Sequence, residues 1–212
     1  MSPTPGTVEC KELMLNVYAS VLAYHSATYC SAPITSGKRY FDWLAEKGRA
    51  SGDVDELNGE DRETHAREVV QVNRQHSSEV VAKLRRIRTH VIDPGVVPPV
   101  ARWTQGDWLD FWEEVITRFA KELVFVDGWE YSYGSAHEFW FAHSKALPTL
   151  NERMQPLTLT HGIDLIQKAC NVIRSRGASA ARLESILNAL AAVTRDITAS
   201  VGSERRSSRS EP

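Results

Sequence analysis

Cysteine is scarce: Cys10, Cys30 and Cys170 are the only three in 212 residues, odd in number and widely spaced. That argues against a disulfide scaffold or a zinc knuckle and suits a reducing, cytoplasmic compartment. No apolar run approaches the roughly 20 residues needed to cross a bilayer, so no membrane partner is expected. The opening stretch MSPTPGTVECKELM has no basic flank and no long apolar segment, so no signal peptide is expected. An excess of one charge is also missing. With 25 Lys+Arg against 27 Asp+Glu the formal charge is −2, which removes the global electrostatic case for a nucleic-acid partner. Arg205, Arg206 and Arg209 near the end are too few to restore it. What is present is 42% hydrophobic and 25% charged, the balance of a globular chain long enough for one α/β domain with extensions.

Leu13, Val17, Val21 and Leu22 recur at helical spacing, with Met14, Leu15 and Tyr18 beside them. They predict a helical extension over residues 1–26, amphipathic and packed on the core. ATYCSAPI, from Ala27, predicts a first strand that feeds the polar loop Thr35-Ser36-Gly37-Lys38-Arg39 and a short helix with Phe41, Trp43 and Leu44. Residues 49–62 are almost free of apolar side chains and predict a surface loop. A long helix over about 63–89 precedes a second strand over about 90–97, and an aromatic helix over about 104–121 leads to a third strand. The run Leu123-Val124-Phe125-Val126 is what a strand buried on both faces looks like. A helix over about 135–146, a weak fourth strand within 147–159 and helices over about 161–176 and 178–197 follow. Alternation of this kind predicts one domain over residues 27–198, a Rossmann-like or flavodoxin-like open parallel sheet of about four to five strands, with helices on both faces and extra helices at both termini. Residues 199–212, rich in Ser and Arg, are expected to be a disordered tail. Ligands of such sheets bind outside the carboxyl ends of the strands, which directs attention to the loops at 35–40 and 127–137.

Glu138 stands out directly after the second of these loops. If a helix begins near Gly134 or Ser135, Glu138 falls in its first turn, where the dipole favours an ionised carboxylate able to act on an electrophilic sugar carbon. The competing reading is a capping box, because Ser135 and Glu138 fit S-x-x-E. The loop Ala32 to Arg39 approaches a P-loop but lacks the first glycine and the final hydroxyl, so NTPase chemistry is rejected and only a looser grip on an anion by the backbone with Lys38 survives. His137-Glu138 does not extend to H-E-x-x-H, because Phe141 stands at the second histidine position, so no metal is expected. Cys30 lies inside a strand and reads as a small core residue. Of the tryptophans, Trp129 is singled out to stack a base because it lies in a loop.

Tyr29-Cys30-Ser31-Ala32-Pro33-Ile34 and Gly134-Ser135-Ala136-His137-Glu138 together resemble the nucleoside 2-deoxyribosyltransferase-like superfamily, which includes the 2′-deoxynucleoside 5′-phosphate N-hydrolases. The resemblance covers residues 27–46 and 89–150 and implies an N-glycosidase or glycosyltransferase of nucleosides or nucleotides with no cofactor. It implies that Glu138 acts at C1′, that Tyr29 lies near the sugar, and that Ser132, with Ser135, Gly134, Gly37 and Lys38, positions the 5′-phosphate. An acidic residue of the preceding helix, Glu114 or Asp110, would assist as proton shuttle. Ser132, where the transferases have aspartate, tilts the reading to nucleotides and hydrolysis. Thr35 stands where the hydrolases carry arginine. A homo-oligomer, dimer or larger, is implied as well. The alternative is a nucleotide-binding sensor or an NAD-cleaving defence enzyme on the same fold.

Overall fold

The computed structural model describes residues 5–49 and 57–207. At its centre is a four-stranded, all-parallel sheet in the order β2-β1-β3-β4. The strands are β1 (Ala27–Ser31), β2 (Val91–Ile92), β3 (Ala120–Phe125) and β4 (Thr149–Asn151). Strands β1 and β3, adjacent in space though β2 lies between them in sequence, pair Tyr29 with Leu123, Cys30 with Val124 and Ser31 with Phe125. This is the flavodoxin-like strand order, whose direction of winding reverses between β1 and β3.

Period-two alternation sorts the central strands between two cores. Cys30, Val124 and Val126 meet Val80, Val81 and Leu84 of α4 (Gln71–Leu84) on one face. Tyr29, Leu123 and Phe125 join the larger core on the other. That core is closed by α1 (Pro5–Val21), α5 (Gln105–Phe119), α6 (Tyr133–Ser144), α7 (Leu159–Ser175) and α8 (Ala181–Ser207). Burial on both faces is why the carboxyl half of β3, Leu123-Val124-Phe125, reads as an unbroken apolar run. Helix α7 comes so close to α6 that a Cβ on Gly162 would sit 2.1 Å from the Phe139 ring.

Several boundaries differ from the sequence reading. Strand β2 is only Val91–Ile92, because Asp93 caps a 3₁₀ turn at Pro94–Val96 by accepting from the Gly95 N–H. Helix α2 (Lys38–Glu46) agrees with expectation, but helix α3 (Gly59–His65) already begins within the expected loop, capped by Asn58, and runs through a π-helical turn (Ala66–Val70) into α4. Residues 50–56 of that loop lie outside the described residues. The tail expectation is corrected over residues 199–207, which continue α8: no proline lies between Pro156 and Pro212. Residues 208–212 lie outside the described residues.

Helix α1 packs on the core as expected, but of the four residues in the leading set only Leu22, just past its end, joins that contact. Leu13, Val17 and Val21 face water, at 66%, 60% and 67% exposure. Leu15, Met14 and Tyr18, beside them in the sequence, meet the core together with Leu22. Both sets recur at helical spacing, and aromatic contact decides between them: Tyr18 packs against Phe111 and Phe119 of α5 at centroid separations of 6.3 and 6.1 Å.

Candidate functional site

Above the carboxyl ends of β1, β2 and β3 lies an open cleft of about 1180 Å³. Glu138 lines it, reached from β1 by two hydroxyls. Tyr29 and Ser31 are two residues apart on β1 and so face the same way. The Tyr29 hydroxyl donates to Glu138 Oε1 at 2.6 Å, and Ser31 Oγ donates to Oε2 at 2.5 Å. The carboxylate therefore spans the switch point, carried by the helix after β3 and held by side chains of β1. Tyr29 is itself fixed, fully buried and edge-on to Trp112 at 5.9 Å.

Burial pushes the Glu138 carboxyl up from the ordinary 4.5 to about 7, against the pull of the two hydroxyl donors. Burial, with the negative charge of Glu138, drives the Tyr29 phenol well above its ordinary range, so that Tyr29 acts only as a donor. The capping-box reading is overturned. Helix α6 starts at Tyr133, with Ser132 at its N-cap, so Ser135 lies inside the helix and Glu138 in its second turn. The Ser132 side chain does not cap the helix but accepts from Ser36 Oγ at 3.3 Å. The N–H groups of the first turn are thus left without a side-chain cap beside the cleft.

Ser132, Gly134 and Ser135 line this cleft with Glu138, and Tyr29 reaches it through Glu138. The other candidates lie elsewhere. Trp129 is 3% exposed and packed between Phe125 and Phe139, at 5.0 and 4.7 Å, so it is a core side chain and not a base-stacking surface. Trp103, Trp108 and Trp112 are the tryptophans at the cleft. Lys38 turns away: Gly37, at φ +85°, swings the chain into α2, and Lys38 Nζ pairs with Asp42 at 2.7 Å on the wall of a separate groove. Gly37 serves that turn, since a Cβ there would meet Pro33 at 2.5 Å. Neither proposed proton shuttle reaches the cleft. Asp110 is exposed and its carbonyl accepts from Lys11, while Glu114 is engaged by Arg118 one turn along α5. His137 pairs with Glu113 at 2.6 Å between α6 and α5. Burial pushes the Cys30 thiol upwards, away from nucleophilic use.

Three features escaped the sequence reading. Ser31 carried a readable signal, its two-residue spacing from Tyr29. Arg74 of α4 and Arg182 of α8 line the cleft from helices on opposite faces of the sheet, and only the tertiary fold brings them together. Asn73 and His65 fix the loop after β1: Asn73 Nδ2 donates to the carbonyls of Ile34 and Ser36, and His65 Nε2 lies 2.8 Å from that of Thr35. Among the described residues Glu138 is the sole carboxylate on the cleft wall, beside two arginines and no His, Lys or Cys. No family model, curated protein or solved structure matches this chain.

Proposed function

We propose that this chain is an N-glycosidase of nucleosides or nucleotides, with the Glu138 carboxylate acting at C1′. The observation that carries the reading is the setting of Glu138: a half-buried carboxylate at the β1/β3 switch point, held by Tyr29 and Ser31, without a cationic partner and open to a cleft. A carboxylate used merely for stability would be matched by Lys or Arg. Here two neutral donors orient it and leave its charge free to meet a developing glycosyl cation. The uncapped first turn of α6, Ser132, Ser36 and the two arginines favour an anionic substituent such as the 5′-phosphate. Hydrolysis needs only water as acceptor.

The test is release of free base, followed by chromatography, from a panel of nucleosides and nucleotides incubated with the purified protein. Glu138→Gln keeps the shape of the side chain and removes its charge. Loss of activity by about 10³-fold or more is expected, the scale at which deletion of one reacting group is felt. Undiminished turnover by this variant would refute the assignment.

A further inference from the structure

We propose that His65 and Asn73 are positioning residues for the anionic end of the substrate. Held in phase by the π-helical turn between them, they draw the carbonyls of the loop after β1 to one side and so turn its N–H groups towards the cleft. This rests on the glycosidase reading above and names what holds the phosphate-binding part of that site in shape.

The two side chains leave the loop little freedom. Asn73 Nδ2 donates to the Ile34 carbonyl at 3.1 Å and to the Ser36 carbonyl at 3.0 Å, which uses both of its N–H bonds. His65 Nε2 lies 2.8 Å from the Thr35 carbonyl, and because a carbonyl only accepts, Nε2 carries the proton. Three successive carbonyls are thus held by one helical stretch. The peptides of the loop are trans, and in a planar trans peptide the N–H points opposite to the C=O. The N–H groups of Thr35, Ser36 and Gly37 therefore point away from His65 and Asn73. Asn73 stands on the wall of the separate groove, whereas Thr35 and Ser36 line the cleft, so these N–H groups face the cleft side. Among the described residues they have no hydrogen-bond acceptor. Donors in succession form a concavity suited to an anion. Ser36 Oγ meets Ser132 Oγ at 3.3 Å, which sets the loop beside the uncapped first turn of α6.

The alignment of the pair depends on an irregularity. At 3.6 residues per turn, positions eight apart on an α-helix differ in direction by about 80°. Between His65 and Asn73 the Gln71 N–H reaches back to the Ala66 carbonyl, an i→i+5 bond that takes one extra residue into the turn. The pair then stands as positions seven apart would, about 20° from alignment. Such turns are rare and frequently mark functional places. Here the turn lets a helix with one residue too many still present both donors to the loop. Both side chains are buried, and the rings of Tyr40 and Trp43 hold His65 at 5.3 and 5.8 Å.

The experiment uses the full chain. Free base is followed by chromatography from the common deoxynucleosides and their 5′-monophosphates, and inorganic phosphate is titrated by calorimetry. Asn73→Asp keeps the shape of the side chain and removes both donors. It is expected to raise KM for the monophosphates about tenfold, with a smaller change for the deoxynucleosides and in kcat, the pattern of lost uniform binding. His65→Leu is expected to act in the same direction, and His65→Gln, which restores a donor, to recover most of the loss. The His65 variants carry the test if Asn73→Asp does not fold. The dissociation constant of inorganic phosphate is expected to rise by a similar factor in Asn73→Asp and His65→Leu. Deletion of Arg67, an exposed residue of the π turn, leaves His65 and Asn73 seven positions apart on an unbroken α-helix and is expected to keep the wild-type preference for monophosphates. Loss of that preference on deletion overturns the phasing. A merely supporting role would change both substrate classes alike, so equal KM changes, or none, overturn the proposal and leave the glycosidase reading standing. No free base from any substrate refutes that reading. Weaker binding of inorganic phosphate by Asn73→Asp then still supports the positioning role, and absent or undiminished binding overturns it as well.

Discussion

Glu122 and Glu138 both accept hydrogen bonds from β1, Glu122 from Thr28 at 2.6 Å and Glu138 from Tyr29 and Ser31 at 2.6 and 2.5 Å. Their remaining surroundings differ. Glu122 lies towards the amino ends of the strands, where Arg88 Nε reaches it at 2.6 Å. Burial alone would raise its carboxyl, but the bonds from Arg88 and Thr28 outweigh that and hold it below the usual range. Glu138, at the carboxyl ends, has the hydroxyls without the cation, and burial lifts it to about 7. The same strand thus supports one carboxylate that is neutralised for stability and one kept unneutralised at a stability cost. Such a cost is the usual mark of a site under functional demand.

The largest expected effect separates the two roles. Glu138→Gln is expected to abolish base release while the protein stays folded. Glu122→Gln should leave base release within about twofold and lower unfolding free energy by about 1–3 kcal/mol, as loss of a partly buried charged hydrogen bond does. Chromatographic assay and chemical denaturation read the two quantities. If Glu122→Gln removed activity as well, the division would be wrong.

The next effect has opposite signs for the two groups. The folded state raises the Glu138 value, so it binds that proton more tightly than the unfolded chain between 4.5 and about 7. Stability from this group is fully present below about pH 4.5 and falls as pH rises through about 7, by about 3 kcal/mol in all. Glu122 is lowered on folding, so its contribution is present above the unfolded value and is lost as pH falls through the folded one. Thermal denaturation from about pH 4.5 to 8 should therefore decline more steeply for wild type than for Glu138→Gln. Identical curves would contradict the buried-carboxylate account.

Tyr29→Phe and Ser31→Ala sharpen the picture further. Each removes a donor to the ionised carboxylate, so the rising limb of the pH–activity profile should move to higher pH, with a loss of about tenfold at neutral pH for Tyr29→Phe and less for Ser31→Ala. The smallest effect is expected at Lys38. Its pair with Asp42 is exposed, so Lys38→Ala should change stability by less than about 1 kcal/mol and leave base release within about twofold.

The sheet was legible in the sequence because its signals are local: an apolar run at the carboxyl end of β3, period-two residues on β1 and helical spacing between them. Glu138 was legible for a related reason, since a parallel strand must deliver the helix after it to the ligand-binding edge. What the sequence hid depends on direction and distance. Ser135 and Glu138 have capping-box spacing, yet α6 begins at Tyr133 and the pattern is void. Trp129 occupies a loop position but turns inwards against Phe139, whereas Trp108 and Trp112, at ordinary core spacing on α5, line the cleft. Lys38 sits in the expected loop and is carried away by the positive φ of Gly37. Arg74 and Arg182 are separated by a hundred or so positions and by the thickness of the sheet, a relationship no local pattern encodes.

Gly162 gives the closing helices a part in the timing of assembly. Because α7 rests on Phe139, the neighbour of Glu138, and Ile173, Ala180 and Leu183 complete one wall of the cleft, the site is unfinished until the last third of the chain has been made. A nascent chain ending at β4 would already contain Tyr29, Ser31 and Glu138, yet its Phe139 would be bare and its cleft open on one side. Such a partial product would carry Tyr29, Ser31 and Glu138 without the helices that wall one side of the cleft.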